Sequence, residues 1–129
     1  MARVLIVEDS STELEKLEAM IEQLGHEVLA AQSGEQGVSI AASEQPDVIV
    51  MDVVMPGVNG FQATRQIKHS AETSHIPVIM VSVKNQAVDI AWGQRQGADS
   101  YLTKPIEPKA LADAIASSLT LDQKLDGFA

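Results

Sequence analysis

Five polar residues stand where short apolar runs end, and together they could handle a phosphoryl group. They are Glu8, Asp9, Asp52, Ser82 and Lys104. Carboxylates that meet at one point repel one another unless a cation lies between them. A hydroxyl and an ammonium can bind the oxygens of a transferred phosphoryl group. If the fold brings these residues together, they predict a site for a divalent cation and a phosphoryl group.

The available donors indicate which cation and which nucleophile the site would use. The chain has no cysteine, and no histidine lies at these positions, so the ligands would be oxygens. Oxygen ligands suit Mg²⁺, which keeps several waters and takes carboxylates together with phosphate oxygen. Asp52 is followed by the turn signal Met55-Pro56-Gly57, which we expect to leave its carboxylate exposed at a strand tip. We predict that Asp52 is the nucleophile and forms an aspartyl phosphate.

The elements that must position these residues alternate along the chain. Runs rich in β-branched residues indicate strands, and stretches with apolar residues three or four apart indicate helices. The strand-like runs cover residues 4–7, 27–30, 48–51, 78–81 and 100–103. Most lack polar alternation, which is typical of a parallel sheet covered on both faces. We predict an α/β fold, a flavodoxin-like (βα)5 doubly wound parallel sheet, with the strand order 2-1-3-4-5 adopted by analogy with that class.

Local signals mark where the helices begin. Ser10-x-x-Glu13 and Ser33-x-x-Gln36 are typical of capping boxes at the starts of the first two helices. The later helices are expected after residues 59–60, over about residues 87–96, and around residues 111–119. Ligands in such sheets bind at the carboxyl ends of the strands. The five polar residues should therefore meet in one crevice.

The composition excludes several classes of function. Lys and Arg total 9 against 18 Asp and Glu, and the formal net charge of -9 repels nucleic acid. The lack of cysteine suits a reducing compartment, and no apolar run is long enough to span a membrane. We expect a cytoplasmic monomer that neither binds nucleic acid nor inserts into a membrane. Residues 1–121 should form one domain, followed by a short tail over residues 122–129.

Several of these residues also form recognisable motifs, namely Glu8-Asp9, Asp52-x-x-Met55-Pro56, Ser82 and Lys104-Pro105. In this order and spacing, the chain resembles the receiver domains of two-component systems over about residues 3–119. The resemblance implies that a histidine kinase or a phosphotransfer domain donates the phosphate. It also implies that a downstream protein binds through the fourth helix, the fifth strand and the fifth helix. Such a protein is not an ordinary enzyme, although it would catalyse its own phosphoryl transfer and dephosphorylation.

The resemblance assigns roles to the acidic residues. It implies that Asp52 is the phosphoacceptor. Asp9, Asp52 and the backbone carbonyl of Val54 would bind Mg²⁺, with Glu8 acting through a bound water. Asp52 would thus be both the phosphoacceptor and a ligand of the metal.

The resemblance also assigns roles on the other side of the crevice. It implies that Ser82 and Lys104 contact the phosphoryl group, and that the peptide between Lys104 and Pro105 is cis. Tyr101 would be the aromatic residue that changes rotamer on activation. Residues 55–65 and 92–98 further resemble the CheY-like single-domain regulators of type IV pilus twitching motility, the PilH-like group.

Two valines depart from common receiver usage. Val83 is bulkier than the small residues often found beside the hydroxyl, and its β-branched side chain could crowd the approach to the phosphoryl site. Val54 places an apolar side chain over the pocket, where some relatives carry a polar one. The rate of phosphorylation and the lifetime of the phosphorylated state therefore stay open.

Two other classes of function are compatible with parts of the pattern. An aspartate-nucleophile phosphohydrolase of the haloacid dehalogenase type also uses Mg²⁺, but it usually carries a second acid where this chain has Val54. A phosphorylation-independent, receiver-like scaffold would leave the acidic site unused. The intact set of Asp9, Asp52, Ser82 and Lys104 argues against the scaffold, whereas Val83 keeps it open.

Overall fold

Five parallel strands form the sheet at the centre of the molecule. The computed structural model describes the backbone of residues 1–126 and the side chains of residues 1–119. The strands are β1 (Arg3–Val7), β2 (Glu27–Ala31), β3 (Val48–Asp52), β4 (Val78–Ser82) and β5 (Ser100–Thr103). They lie in the order β2-β1-β3-β4-β5, so the predicted fold class and strand order are confirmed.

Five helices connect or follow the strands. They are α1 (Ser11–Gln23), α2 (Gly34–Glu44), α3 (Gly60–His69), α4 (Ala87–Arg95) and α5 (Pro108–Asp126). Helix α5 thus continues into the segment predicted as a tail, residues 122–129, of which residues 127–129 lie outside the described part of the chain. The division into a domain over residues 1–121 and a tail stays a prediction.

The register of the sheet aligns the carboxyl ends of its strands. Val7 of β1 pairs with Met51 of β3, so the residues that follow them lie at one level. Asp52 in turn pairs with Val81 of β4. Because the strands are parallel, every strand end opens on the same edge of the sheet.

The core consists of two hydrophobic clusters, one on each face of the sheet. Successive strand residues point to opposite faces, so Val4 and Ile6 belong to one cluster while Leu5 and Val7 belong to the other. Helices α1 and α5 cover the first face, and α2 and α3 cover the second. This double cover explains why the central strands carry apolar residues without alternation.

The predicted capping boxes form only in part. Ser10 accepts a hydrogen bond from the Glu13 backbone N–H at 3.4 Å, as expected for an N-cap. The Gln36 side chain, however, accepts from the backbone N–H of Gln32 rather than from that of the N-cap residue Ser33. A complete capping box opens α3 instead.

Candidate functional site

The three predicted acids meet at the carboxyl ends of β1 and β3. Glu8 and Asp9 follow β1, and Asp52 is the last residue of β3. Ligand oxygens of the three carboxylates all lie within 4.8 Å of one another. The Glu8 backbone N–H donates to Ala31 at 2.9 Å, which fixes the direction in which the chain leaves β1. The donors are oxygens only, so the cluster fits a hard divalent cation.

Lys104 reaches across the crevice to two of these acids. Its ammonium lies 2.7 Å from a Glu8 oxygen and 3.0 Å from an Asp52 oxygen. The backbone supports this reach, because the Lys104 N–H donates to the Ser82 carbonyl at 2.8 Å. The peptide between Lys104 and Pro105 is cis, as predicted. The ammonium therefore offsets part of the negative charge at the strand ends.

The prediction that the Asp52 carboxylate is exposed is wrong. Asp52 is only 4% exposed and Glu8 only 1%, whereas Asp9 is exposed. The turn after β3 does not open the site, because Lys104 lies over the carboxylate and Gly60 packs directly against the Asp52 backbone. Access to Asp52 thus depends on the residues at the rim of the crevice.

Burial and charge act in opposite directions on the two bonded partners. Burial raises the pKa of Asp52 to about 6, with Glu8 and Asp9 adding to the rise and Lys104 opposing it. Burial alone would lower the pKa of Lys104, but its bonds to Glu8 and Asp52 outweigh burial and raise it. Both groups are charged at pH 7, because the raised pKa of Asp52 is still below 7 and the raised pKa of Lys104 is above it. Asp52 is therefore available as a carboxylate nucleophile at that pH.

Ser82 and Tyr101 are linked through one loop residue, Lys84. The Ser82 side chain is fully buried, and its Oγ accepts a hydrogen bond from the Lys84 N–H at 3.0 Å. The Tyr101 hydroxyl donates to the Lys84 carbonyl at 2.7 Å. Burial raises the pKa of Tyr101, and the negative charges of Asp89 and Asp52 add to the rise. The charge of Asp52 at the end of β3 thus acts on the Tyr101 hydroxyl.

The two unusual valines lie at the rim. Val54 is 49% exposed and Val83 is 66% exposed. Val83 also lines a groove of about 320 Å³ that runs from Lys104 to α1, where Leu17 and Met20 form its apolar wall. Each valine therefore sits where an approaching group would pass.

Sequence reasoning missed the backbone contacts that hold these side chains. Ser10 was identified only as a helix cap, yet its N–H also donates to a Glu8 oxygen at 3.2 Å. Lys84 carries both links between Ser82 and Tyr101 through its backbone, so its residue type gives no signal. Gly60 could have been found, because a glycine at a helix start after a strand often marks a close backbone approach.

Comparison with known proteins gives one consistent result. Residues 4–116 match the family model of the response regulator receiver domain. Protein PilH of Pseudomonas aeruginosa is 57% identical over 119 residues, which are 92% of this chain and 98% of PilH. In the part of the chain that the structure describes, no helix is both long and apolar enough to cross a membrane.

Solved structures agree with this match. The chemotaxis protein CheY4 of Vibrio cholerae superposes with a TM-score of 0.86 at 28% identity, covering 92% of this chain and 99% of that one. The receiver domain of the sensor histidine kinase PA1611 of Pseudomonas aeruginosa, which has a magnesium ion coordinated in its active site cleft, also gives 0.86 at 28% identity. That comparison covers 92% of this chain and 98% of the other.

Proposed function

Because the chain belongs to the response regulator receiver domain family, we propose that it is a signalling switch whose Asp52 accepts a phosphoryl group. One observation supports this most strongly. Asp52 lies within hydrogen-bonding distance of Lys104 and within one carboxylate cluster with Glu8 and Asp9. The Asp52 nucleophile, the Lys104 ammonium and the acidic cluster thus share one crevice, as phosphoryl transfer requires.

We propose Mg²⁺ as the cofactor, bound by Asp9, Asp52 and the Val54 carbonyl, with Glu8 acting through a water. The close approach of the acidic oxygens supports this, since they repel one another without a cation. When bound, Mg²⁺ neutralises charge on the phosphoryl oxygens and orients them. Lys104 would then leave its bond to Glu8 and contact a phosphoryl oxygen.

The transfer step needs only groups that this chain and a phosphohistidine donor supply. An Asp52 carboxylate oxygen forms a bond to phosphorus, and the phosphorus–nitrogen bond breaks with its electron pair returning to the donor imidazole. The Ser82 hydroxyl accepts from Lys84 N–H, so its own proton is free to donate to a phosphoryl oxygen. Lys104 and Ser82 would therefore bind two different oxygens of the group.

We propose that the donor is a histidine kinase or a phosphotransfer domain that docks beside the crevice. The groove of about 320 Å³ between α1 and Lys104 supports this, because Lys104 lines the groove and its ammonium lies 3.0 Å from an Asp52 oxygen. Its wall includes Leu17 and Met20, which a partner helix could cover. The protein would act as a cytoplasmic monomer.

The output is proposed to pass through Ser82 and Tyr101 to the surface of α4, β5 and α5. Phosphate on Asp52 should draw the Ser82 hydroxyl towards it, which weakens the bond between Ser82 and Lys84. Lys84 also holds the Tyr101 hydroxyl, so the loop and the ring should move together. A crystal or NMR comparison with beryllofluoride at Asp52 tests this, and unchanged Ser82 and Tyr101 side chains would exclude the route.

Labelling with a small phosphodonor tests the central proposal. Acetyl phosphate with Mg²⁺ should add one base-labile phosphoryl group to the wild type, and Asp52→Asn should abolish labelling because the amide is not a nucleophile. Equal labelling of Asp52→Asn would refute the assignment. Sustained hydrolysis of other phosphoesters would instead favour a phosphohydrolase, and a wild type that takes up no label would favour a scaffold.

We further propose a role in type IV pilus twitching motility, on the basis of the 57% identity to PilH. Deletion of the gene should alter surface twitching and leave general growth unchanged. Complementation with wild type should restore twitching, and complementation with Asp52→Asn should not. Normal twitching after deletion would leave the protein a receiver of another pathway.

A further inference from the structure

The first turn of α2 contacts the loop between β3 and α3, residues 53–59, without any intervening side chain. Gly34 is the first residue of α2 and is buried. A Cβ atom on Gly34 would overlap the Val58 carbonyl oxygen, and it would lie 3.0 Å from the Val58 Cγ1 atom. The contact is thus made by backbone, which yields less easily than the end of a side chain.

The helix side of this contact is held in place. The Ser33 side chain accepts from the Gln36 N–H at 3.1 Å, and the Gln36 side chain accepts from the Gln32 N–H at 2.8 Å. One turn later, a Cβ on Gly37 would lie 2.7 Å from a Val7 methyl group, so α2 already packs tightly on β1. The start of α2 therefore cannot move closer to the sheet.

The loop side is a closed unit that leads back to Asp52. The Gly60 N–H donates to the Val53 carbonyl at 2.9 Å, which joins the two ends of the loop. Met55 is 7% exposed and anchors the middle of the loop in the core. Because its ends are bonded together and its middle is anchored, a displacement at Val58 must be taken up within the loop, which also contains Val54, the residue whose carbonyl is the proposed third metal ligand.

We propose that Gly34 is a positioning residue for the Mg²⁺ site, holding the 53–59 loop so that the Val54 carbonyl faces the acidic cluster. This inference rests on the proposed function, because it requires that the cluster binds Mg²⁺. Gly34 touches neither the metal nor the phosphoryl group. Its role is to let α2 support the loop backbone at a distance that any side chain would prevent.

The test is Mg²⁺ binding by isothermal titration calorimetry, with urea unfolding of the same samples. Gly34→Ala should bind Mg²⁺ about tenfold more weakly, as is common when the support of a metal ligand is disturbed. Gly93→Ala is the matched control, because Gly93 is also a buried glycine in a helix, but its Cβ would meet the Met80 and Tyr101 side chains rather than the 53–59 loop. Its stability should change little, and its Mg²⁺ affinity should stay within about twofold of wild type.

Each result of the Mg²⁺ titrations either supports the inference or overturns it. Wild-type affinity in folded Gly34→Ala, or equal weakening in Gly93→Ala, would overturn the inference and leave the proposed function intact. If Gly34→Ala does not fold, Val58→Ala relaxes the same contact from the loop side and must weaken binding several-fold; unchanged affinity there overturns the inference. A wild type that binds no Mg²⁺ would refute the proposed metal site itself.

Discussion

Strands β3 and β5 belong to the same sheet, yet they are held very differently. All five residues of β3 are buried, whereas β5 contains no fully buried residue. Helix α4, which lies beside β5, is also weakly buried, since Gly93 is its one buried residue. On the outside of α4, Val88 is 73% exposed and Trp92 is 46% exposed.

On the proposed function, the difference separates the Asp52 nucleophile from the elements that would carry the signal, with Lys104 at the end of β5 joining the two. A phosphoryl site needs its groups fixed to within a fraction of an ångström, and the buried β3 provides that. A signal needs an element with two arrangements of similar free energy. The weakly buried α4 and β5 meet this requirement, because moving them exposes little new apolar surface.

The largest expected effect comes from placing the same methyl group in each region. Gly60→Ala should cost at least about 3 kcal/mol in the free energy of unfolding, because its Cβ would overlap the Asp52 carbonyl and lie 2.7 Å from the Val53 Cα. In Gly93→Ala the Cβ meets the Met80 sulfur at 2.9 Å and the Tyr101 ring at 3.0 Å. Those side chains can shift, and alanine improves helix propensity by about 1 kcal/mol, so the net cost should stay below about 1 kcal/mol.

Urea unfolding of both variants measures this difference directly. If Gly93→Ala destabilises the protein as much as Gly60→Ala, then α4 is packed as firmly as β3. The division between a fixed and a movable region would then be wrong.

A smaller effect should appear in the pH dependence of stability. Asp52 has a pKa of about 6 in the folded protein against an ordinary value of 3.8, so between these values the folded state binds more protons than the unfolded state. Wild-type stability should therefore fall as pH rises from about 4 to about 6, and the contribution should level off above that range.

Metal-free urea titrations at several pH values would test this, with two variants for comparison. Asp52→Asn should lack this contribution and gain stability relative to wild type as pH rises through the same range. Tyr101→Phe, on β5, should retain the wild-type slope. A constant difference between wild type and Asp52→Asn at all pH values would contradict the raised pKa.

The smallest effect concerns the rim of the crevice. Val83→Ala should speed labelling by small phosphodonors several-fold without changing Mg²⁺ affinity, because the side chain is 66% exposed beside Lys104 in the groove. Trp92→Ala, on the outer surface of α4, should leave the labelling rate unchanged. An unchanged rate in Val83→Ala would show that this side chain does not obstruct the donor.

Sequence patterns predicted the fold because apolar periodicity reports burial directly. The runs at β3 and β4 and the glycine, serine and asparagine signals at helix starts correspond to observed elements. The acids and Lys104 were predicted to meet because strand ends in a parallel sheet must share one edge, and Asp52 and Lys104 are 3.0 Å apart.

What escaped prediction depends on packing between distant segments. The Asp52 carboxylate is covered by Lys104, and nothing in the sequence around Asp52 shows this contact. The contact of Gly34 with Val58 joins the start of α2 to the loop between β3 and α3, and the sequence shows the glycine without showing which residue it meets. The bonds of Lys84 to Ser82 and Tyr101 were missed because its backbone N–H and carbonyl make them, and these groups do not depend on residue type.

The bond between Lys104 and Glu8 joins residues 96 positions apart at a distance of 2.7 Å. A nascent chain that has not yet completed β5 therefore holds its acidic residues without their lysine partner. Such a chain lacks the arrangement that we propose to accept phosphate, however well its first strands are formed. Competence to receive a signal would then be acquired only after Lys104 has been synthesised and β5 has joined the sheet, so that shorter copies cannot divert phosphate from the folded protein.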